Sequence, residues 1–193
     1  MLVWLHVDTA KYQGLIFSEN YSSVVNNITF RLLLIAKMVF GLKTKIVDVE
    51  TAFLYGNLKE QIFMDCPPGL EGVTDEDALL LLQCIYGLVQ AARQYHKKFV
   101  AILRDIGFKE GDVEPYLMWR HDEKGLIYIA LHVEDYFFVG TDETIKDTIA
   151  HLHANGLVLK VYDNLEDYLL CEIKFSDDGR MAWLGQPHLI SNL

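Results

Sequence analysis

Apolar residues recur at three- and four-residue steps through Leu88, Ala91, Ala92, Tyr95, Phe99, Ile102, Leu103 and Ile106, the spacing that presents one face of a helix to a core. This predicts a long amphipathic helix closed by Gly107. Two further helices are expected. ITFRLLLIAKMVF follows a capping Asn27, is dense enough in apolar residues to be mostly buried, and ends at Gly41. DETIKDTIAHLHAN is capped by Thr141, turns Ile145, Ile149 and Leu152 inward, and ends at Gly156.

Between these segments the pattern changes to short β-branched and aromatic runs. KTKIVDV reads as a strand with Ile46, Val47 and Val49, broken by Asp48. QIFMD is a strand stopped by Pro67-Pro68-Gly69. TDEDA is an acidic loop, and LLLLQCIYG is extended. DVEPYLMWRHDEKG gives a loop, a strand and a turn that lead into LIYIALHVEDYFFVG, Leu126 to Gly140. That stretch reads as an apolar strand, an acidic turn at Glu134 and Asp135, and a second apolar strand. LVLKV, YLLCEIKF and RMAWL follow as strands, the last two joined by SDDG. The first 26 residues suggest an extended piece at Met1 to Val7 and a loop with Gly14 and SENYSS, and PHLISNL reads as the start of a helix. No repeat or linker interrupts this order. The expected class is α+β, a largely antiparallel sheet with helices packed on one face.

The 193 residues are 51 % hydrophobic, enough for a folded core. Cys66, Cys84 and Cys171 are odd in number and lack metal-type spacing, which favours a reduced, intracellular protein. MLVWLHVDTAK has no basic region ahead of its short apolar segment, so neither a signal peptide nor a membrane span is expected. A net charge of -10 opposes a general affinity for nucleic acid, whose phosphates are met by basic groups. The best local basic cluster is Arg93, Lys97 and Lys98, with Arg104 further along the same helix, and a solvated face is the plainer explanation of it.

Two adjacent carboxylates between apolar strands need a reason, since a buried carboxylate is costly unless paired or holding a cation. Asp is common in hairpin turns, and that is the plainer explanation. The alternative is that Glu134 and Asp135 are metal ligands completed by Asp48. Turns are usually announced by Gly, Asn or Pro, yet Val133 and Tyr136 to Val139 press straight against this pair. Two-metal phosphoryl transfer uses such carboxylates to hold cations that activate the attacking oxygen and stabilise the leaving one. There is no glycine-rich phosphate loop, no G-x-S-x-G and no H-E-x-x-H. His151 and His153 lie two apart on a helix and point to different faces.

Three stretches read together, IVDVETAFLYGNLKEQIFMDCPPGLEG, CIYGLVQAARQYHKKF and LHVEDYFFVG, resemble the copia-type retrotransposon reverse transcriptase. The resemblance runs from about residue 17 to the end, and its first stretch is nearly complete. It implies a polymerase palm-type antiparallel sheet with partial fingers and no thumb. The chain would then be one partial domain, 1–193: a fingers remnant to about residue 40, a palm-like region over 41–185, and the start of a following segment at 186–193. Asp48, Glu134 and Asp135 would be the catalytic, metal-binding carboxylates, holding two Mg2+ or Mn2+ ions. Phe53 would pack under the incoming sugar and disfavour a 2'-hydroxyl, or else serve as an ordinary core residue. Tyr86 and Gly87 would hold the incoming nucleotide by close backbone approach, with Gln90 and Arg93 facing the template or triphosphate. YLLCEIKF would begin a primer-gripping hairpin. The implied partners are an RNA or DNA template with its primer, a dNTP, and the integrase and ribonuclease H of a parent polyprotein. No membrane is involved, and the location is cytoplasmic, in a virus-like particle for an intact element.

The departures from the family pattern bear on activity. The family's Tyr-Val-Asp-Asp reads His132, Val133, Glu134, Asp135 here, Val89 stands for the usual Lys, and Tyr95 falls near the usual Trp. Glu is one methylene longer than Asp, a displacement of the kind that costs about a hundredfold in rate. Two readings follow: an RNA-directed DNA polymerase fragment, and a decayed, inactive retroelement remnant that keeps the fold with at most residual nucleic-acid binding.

Overall fold

The computed structural model describes residues 24–74, 77–163, 165, 168, 171–176 and 178–185. The expected extended piece and loop before residue 24, parts of the TDEDA, YLLCEIKF and SDDG segments, and the expected terminal helix lie outside these residues. Those described fall into two compact units, one within Thr51–Phe99 and the other within Ser23–Glu50 and Val100–Leu193.

The second unit is built on a six-stranded antiparallel sheet. Its strands are β1 (Lys43–Val49), β4 (Lys109–Glu110), β5 (Leu117–Asp122), β6 (Gly125–His132), β7 (Asp135–Gly140) and β8 (Leu159–Tyr162), in the order β4-β5-β6-β7-β1-β8. β1 runs through Asp48 without a break, because both its neighbours, β7 and β8, pair with that residue. The apolar stretch Leu126 to Gly140 is the β6–β7 hairpin at the centre of the sheet. Phe137 and Val139 point to one face and Tyr136 and Phe138 to the other, and all four are buried. Burial on both faces explains why this stretch is nearly all apolar rather than alternating.

The helix α1 (Asn27–Phe40) covers the Phe137 face with Phe30, Leu33 and Leu34, which share a core with Val25, Ile46, Ala130, Phe137, Val139, Leu165, Tyr168 and Ile173. Its cap is Asn26 rather than Asn27: the Asn26 side chain accepts from Ile28 N at 2.8 Å, and Glu114 Oε2 accepts from Asn26 N at 3.0 Å. Gly41 closes it at φ 65°. The helix is less buried than its composition suggests, since Ile28, Leu32, Ile35, Val39 and Phe40 are exposed.

The helix α3 (Asp142–Ala154) lies on the opposite face. Gly140 shows this: a Cβ there would point away from Val139 and meet Thr144 Oγ1 of α3 at 2.9 Å. The helices therefore flank the sheet on both sides rather than on one face as expected, because the central hairpin has two apolar faces to cover. Arg120, 6 % exposed on β5, belongs to the α3 face. Its NH2 donates to Asp147 of α3 at 2.9 Å and its NH1 to the Ile106 carbonyl at 3.2 Å. Outside the main sheet, β9 (Glu172–Phe175) pairs antiparallel with β10 (Ala182–Gly185).

In the first unit, β2 (Asn57–Asp65) pairs antiparallel with β3 (Ala78–Gln83). A single 3-10 turn, Ala52–Tyr55, precedes β2. The expected amphipathic helix is α2 (Ala91–Asp105), which belongs to this unit as far as Phe99 and to the second unit from Val100; Ala91, Tyr95, Phe99, Ile102 and Leu103 are buried along one stripe. The class is thus mixed α+β, three helices with antiparallel sheets among the described residues.

Candidate active site

The register of the central strands brings two acidic side chains face to face. Asp48 on β1 pairs directly with Asp135, the first residue of β7, and His132, the last of β6, is the partner of Asp135 on its other side. Directly opposed side chains in an antiparallel pair have Cβ atoms about 4.5–5.5 Å apart. On the other side of β1, Lys160 of β8 is opposite Asp48, and its Nζ lies 3.1 Å from Glu50 Oε1. Lys160 was not legible as a site residue in LVLKV, because only the strand pairing reveals its neighbour.

The hairpin turn is Val133-Glu134, one residue earlier than the expected Glu134-Asp135 turn, so Asp135 belongs to a strand. Val133 adopts φ 56°, and Thr51 is the one other non-glycine residue with positive φ among those described. A two-residue hairpin with positive φ at its first central position favours glycine there. A β-branched side chain in that position is strained, and such strain persists only where surrounding structure enforces it. Two contacts fix this turn: Tyr136 Oη donates to the Val133 carbonyl at 3.2 Å, and Val49 N donates to the Glu134 carbonyl at 3.2 Å. The backbone of Glu134 is thereby tied to the end of the Asp48 strand.

Electrostatics single out the same pair. Burial pushes the Asp135 carboxyl above the ordinary aspartate range; the Asp48 charge adds to this and His132 partly opposes it. Burial also raises Asp48, with Lys160 lowering it and Glu50 raising it. Two adjacent carboxylates whose burial disfavours the ionised form are a donor set suited to a divalent cation, which takes oxygen ligands and favours the charged state. Among the described residues no group of three or more His, Cys, Asp and Glu side chains is gathered as a metal cage. The structure brings together Asp48 and Asp135, while Glu134 is half-buried in the turn.

The other expected site residues lie in the first unit. Phe53, in the 3-10 turn, packs against Tyr86 with ring centroids 4.5 Å apart and the rings tilted at 44°. Gly87 sits at φ 95°, a backbone that side-chain-bearing residues avoid, and it turns the chain toward α2. Gln90, just ahead of α2, is buried; its carbonyl accepts from Gln94 N at 3.0 Å, and its Nε2 has no hydrogen-bond partner among the described residues. Arg93 is half-buried on the first turn of α2.

A family model described as "Reverse transcriptase (RNA-dependent DNA polymerase)" matches residues 8–191. The chain is 28 % identical over 183 residues to the retrovirus-related Pol polyprotein from transposon TNT 1-94 of Nicotiana tabacum, covering 94 % of the chain and 14 % of that protein. It is 26 % identical over 167 residues to the Pol polyprotein from transposon RE2 of Arabidopsis thaliana, covering 86 % of the chain and 12 % of the relative. A putative transposon Ty5-1 protein of Saccharomyces cerevisiae is 29 % identical over 144 residues, 74 % of the chain and 47 % of its own length. The chain thus spans less than half the length of each of these relatives. No solved structure matches.

Proposed function

Because the chain belongs to the reverse transcriptase family, as a partial domain of the copia type found in retroelement Pol polyproteins, we propose that its six-stranded sheet is the palm of an RNA-directed DNA polymerase. The observation that carries this reading is the in-register opposition of Asp48 and Asp135 at the end of two central strands. The family generally uses divalent metal ions. Here Asp48 and Asp135 would hold them, with Glu134 as the third carboxylate from the turn. When bound, two such ions supply activation of the primer 3'-hydroxyl and charge stabilisation on the departing pyrophosphate.

The chain's own groups do the rest. Val133 and the bond from Val49 to the Glu134 carbonyl hold the turn against β1, so that the carboxylates keep a fixed separation. Lys160, paired with Glu50, offsets part of the negative charge around Asp48. Phe53, packed on the tilted ring of Tyr86, offers an apolar surface for the incoming sugar, and Gly87 lets the backbone come close to the nucleotide. Gln90 and Arg93 supply polar contacts to the template or triphosphate. α1 belongs to the palm in this reading, because its buried residues are part of the sheet's core. The partners are a primed RNA or DNA template, dNTPs, and the integrase and ribonuclease H of the parent polyprotein. The cytoplasm is the site of action. No helix among the described residues is long and apolar enough to cross a membrane.

Primer extension on an RNA template with magnesium or manganese tests the proposal. Extension that disappears in Asp48→Asn and Asp135→Asn is expected, and extension unaffected by both would refute it.

A further inference from the structure

The helix α1 carries apolar side chains on two opposite sides. Phe30, Leu33 and Leu34 pack into the core of the sheet, and Lys37 lies over the Phe175 ring at 3.9 Å. On the other side Ile28, Leu32, Ile35 and Val39 are exposed by 67, 58, 49 and 68 %. Their steps of four, three and four residues make one straight seam, the spacing with which two helices interlock side chains along a shared line. With Phe40, also exposed at the helix end, they present roughly 600 Å2 of apolar surface, as much as the largest such patch on an ordinary monomer. A stable protein interface takes about 800 Å2 from each partner, which the flanking Arg31 and Met38 bring within reach.

We propose that this seam is a homodimer interface, in which α1 of one copy packs antiparallel against α1 of a second. A twofold axis between Leu32 and Ile35 sets Leu32 against the partner's Ile35 and Ile28 against the partner's Val39, so every seam residue meets an apolar one and the surface complements itself. The charges agree with a second copy. The chain carries a net charge of -10, yet α1 has no acidic residue, only Arg31 and Lys37. Two copies meeting here place no carboxylate of one helix against a carboxylate of the other, and the same pairing sets Arg31 against the partner's Ala36. A strongly charged partner would find no counterpart groups along the seam. The interface stands whether or not the carboxylate pair is catalytic.

The test is sedimentation velocity of the full chain over a concentration series, beside Leu32→Lys, Ile35→Glu and an equimolar mixture of these two variants. The unaltered chain is expected to dimerise in the micromolar range. Each variant alone should self-associate about a hundredfold more weakly, because a twofold interface takes the substitution twice. The mixture should regain the dimer, since the new ammonium faces the new carboxylate in one layer while Ile35 and Leu32 keep the other. Both positions are exposed, so each variant, when dilute, should melt with the unaltered chain by circular dichroism. An unaltered chain that stays monomeric, or variants that dimerise as it does, would overturn the proposal. A mixture no more dimeric than its two components would overturn it as well.

Discussion

Asp48 and Asp135 are direct cross-strand partners at the end of the β1–β7 pair, each with its carboxyl held above the ordinary aspartate range, mainly by burial. Like charges placed opposite each other in a sheet destabilise it by about 0.2–1 kcal/mol. The arrangement therefore costs stability whenever both are ionised.

A pH dependence follows from the direction of these shifts. A carboxyl whose folded pKa lies above its unfolded value favours the fold most when protonated, and that contribution is lost as pH rises through the folded value. Asp135→Asn should then be more stable than the unaltered chain by about 0.5 kcal/mol at neutral pH. The gain should vanish below the unfolded aspartate value of about 3.9, where Asp135 is itself neutral. Urea unfolding at several pH values, without added cation, measures this; an Asn variant less stable at neutral pH would contradict it.

The turn carries a second prediction. Val133 holds φ 56° at a position that suits glycine. Such strain costs on the order of 1–3 kcal/mol, against about 0.5–1 kcal/mol for the added freedom of an unfolded glycine. Val133→Gly should be stabilising by about 1 kcal/mol, seen as a higher denaturation midpoint. If the strain sets the carboxylate separation, the same variant should lose activity.

Arg120 joins β5, the Ile106 carbonyl and Asp147 of α3 on the face away from α1. Truncating one partner of a buried charge pair costs about 3–5 kcal/mol, and here Asp147 keeps Lys124 as a second partner. Arg120→Ala should therefore cost about 3 kcal/mol in chemical denaturation. A loss within experimental error would show the network to be incidental.

Phe53 and Tyr86 form a tilted ring pair with centroids 4.5 Å apart. If the pair lies under the sugar, Phe53→Val should raise incorporation of ribonucleotides relative to deoxyribonucleotides by about tenfold or more, as expected from removal of a single steric contact of roughly 1–3 kcal/mol. An unchanged ratio together with a lower melting temperature would assign Phe53 to the core alone.

The central hairpin, the Asp48 strand, α2 and α3 were all legible from periodicity and caps, because burial on one face or strong β-branching leaves a mark in linear sequence. The turn was misplaced by one residue, since nothing local announces a valine forced to positive φ by Tyr136 and Val49. The outward apolar side of α1 was invisible because density of apolar residues says nothing of which ones face the sheet. Helices on both faces were missed for a related reason: a strand apolar at every position hides its two sides. Lys160 could be found only through strand pairing, as it meets Asp48 across a long stretch of chain.

In the proposed reading the Asp48–Asp135 pair is a polymerase centre slowed by Glu134. Its most direct test is the rate of primer extension on an RNA template with magnesium, comparing Glu134→Asp with the unaltered chain and with Glu134→Asp combined with Asp48→Asn. Glu134→Asp is expected to gain about a hundredfold, and Asp48→Asn to abolish that gain. Extension by Glu134→Asp no faster than by the unaltered chain, or extension that survives Asp48→Asn, would contradict it.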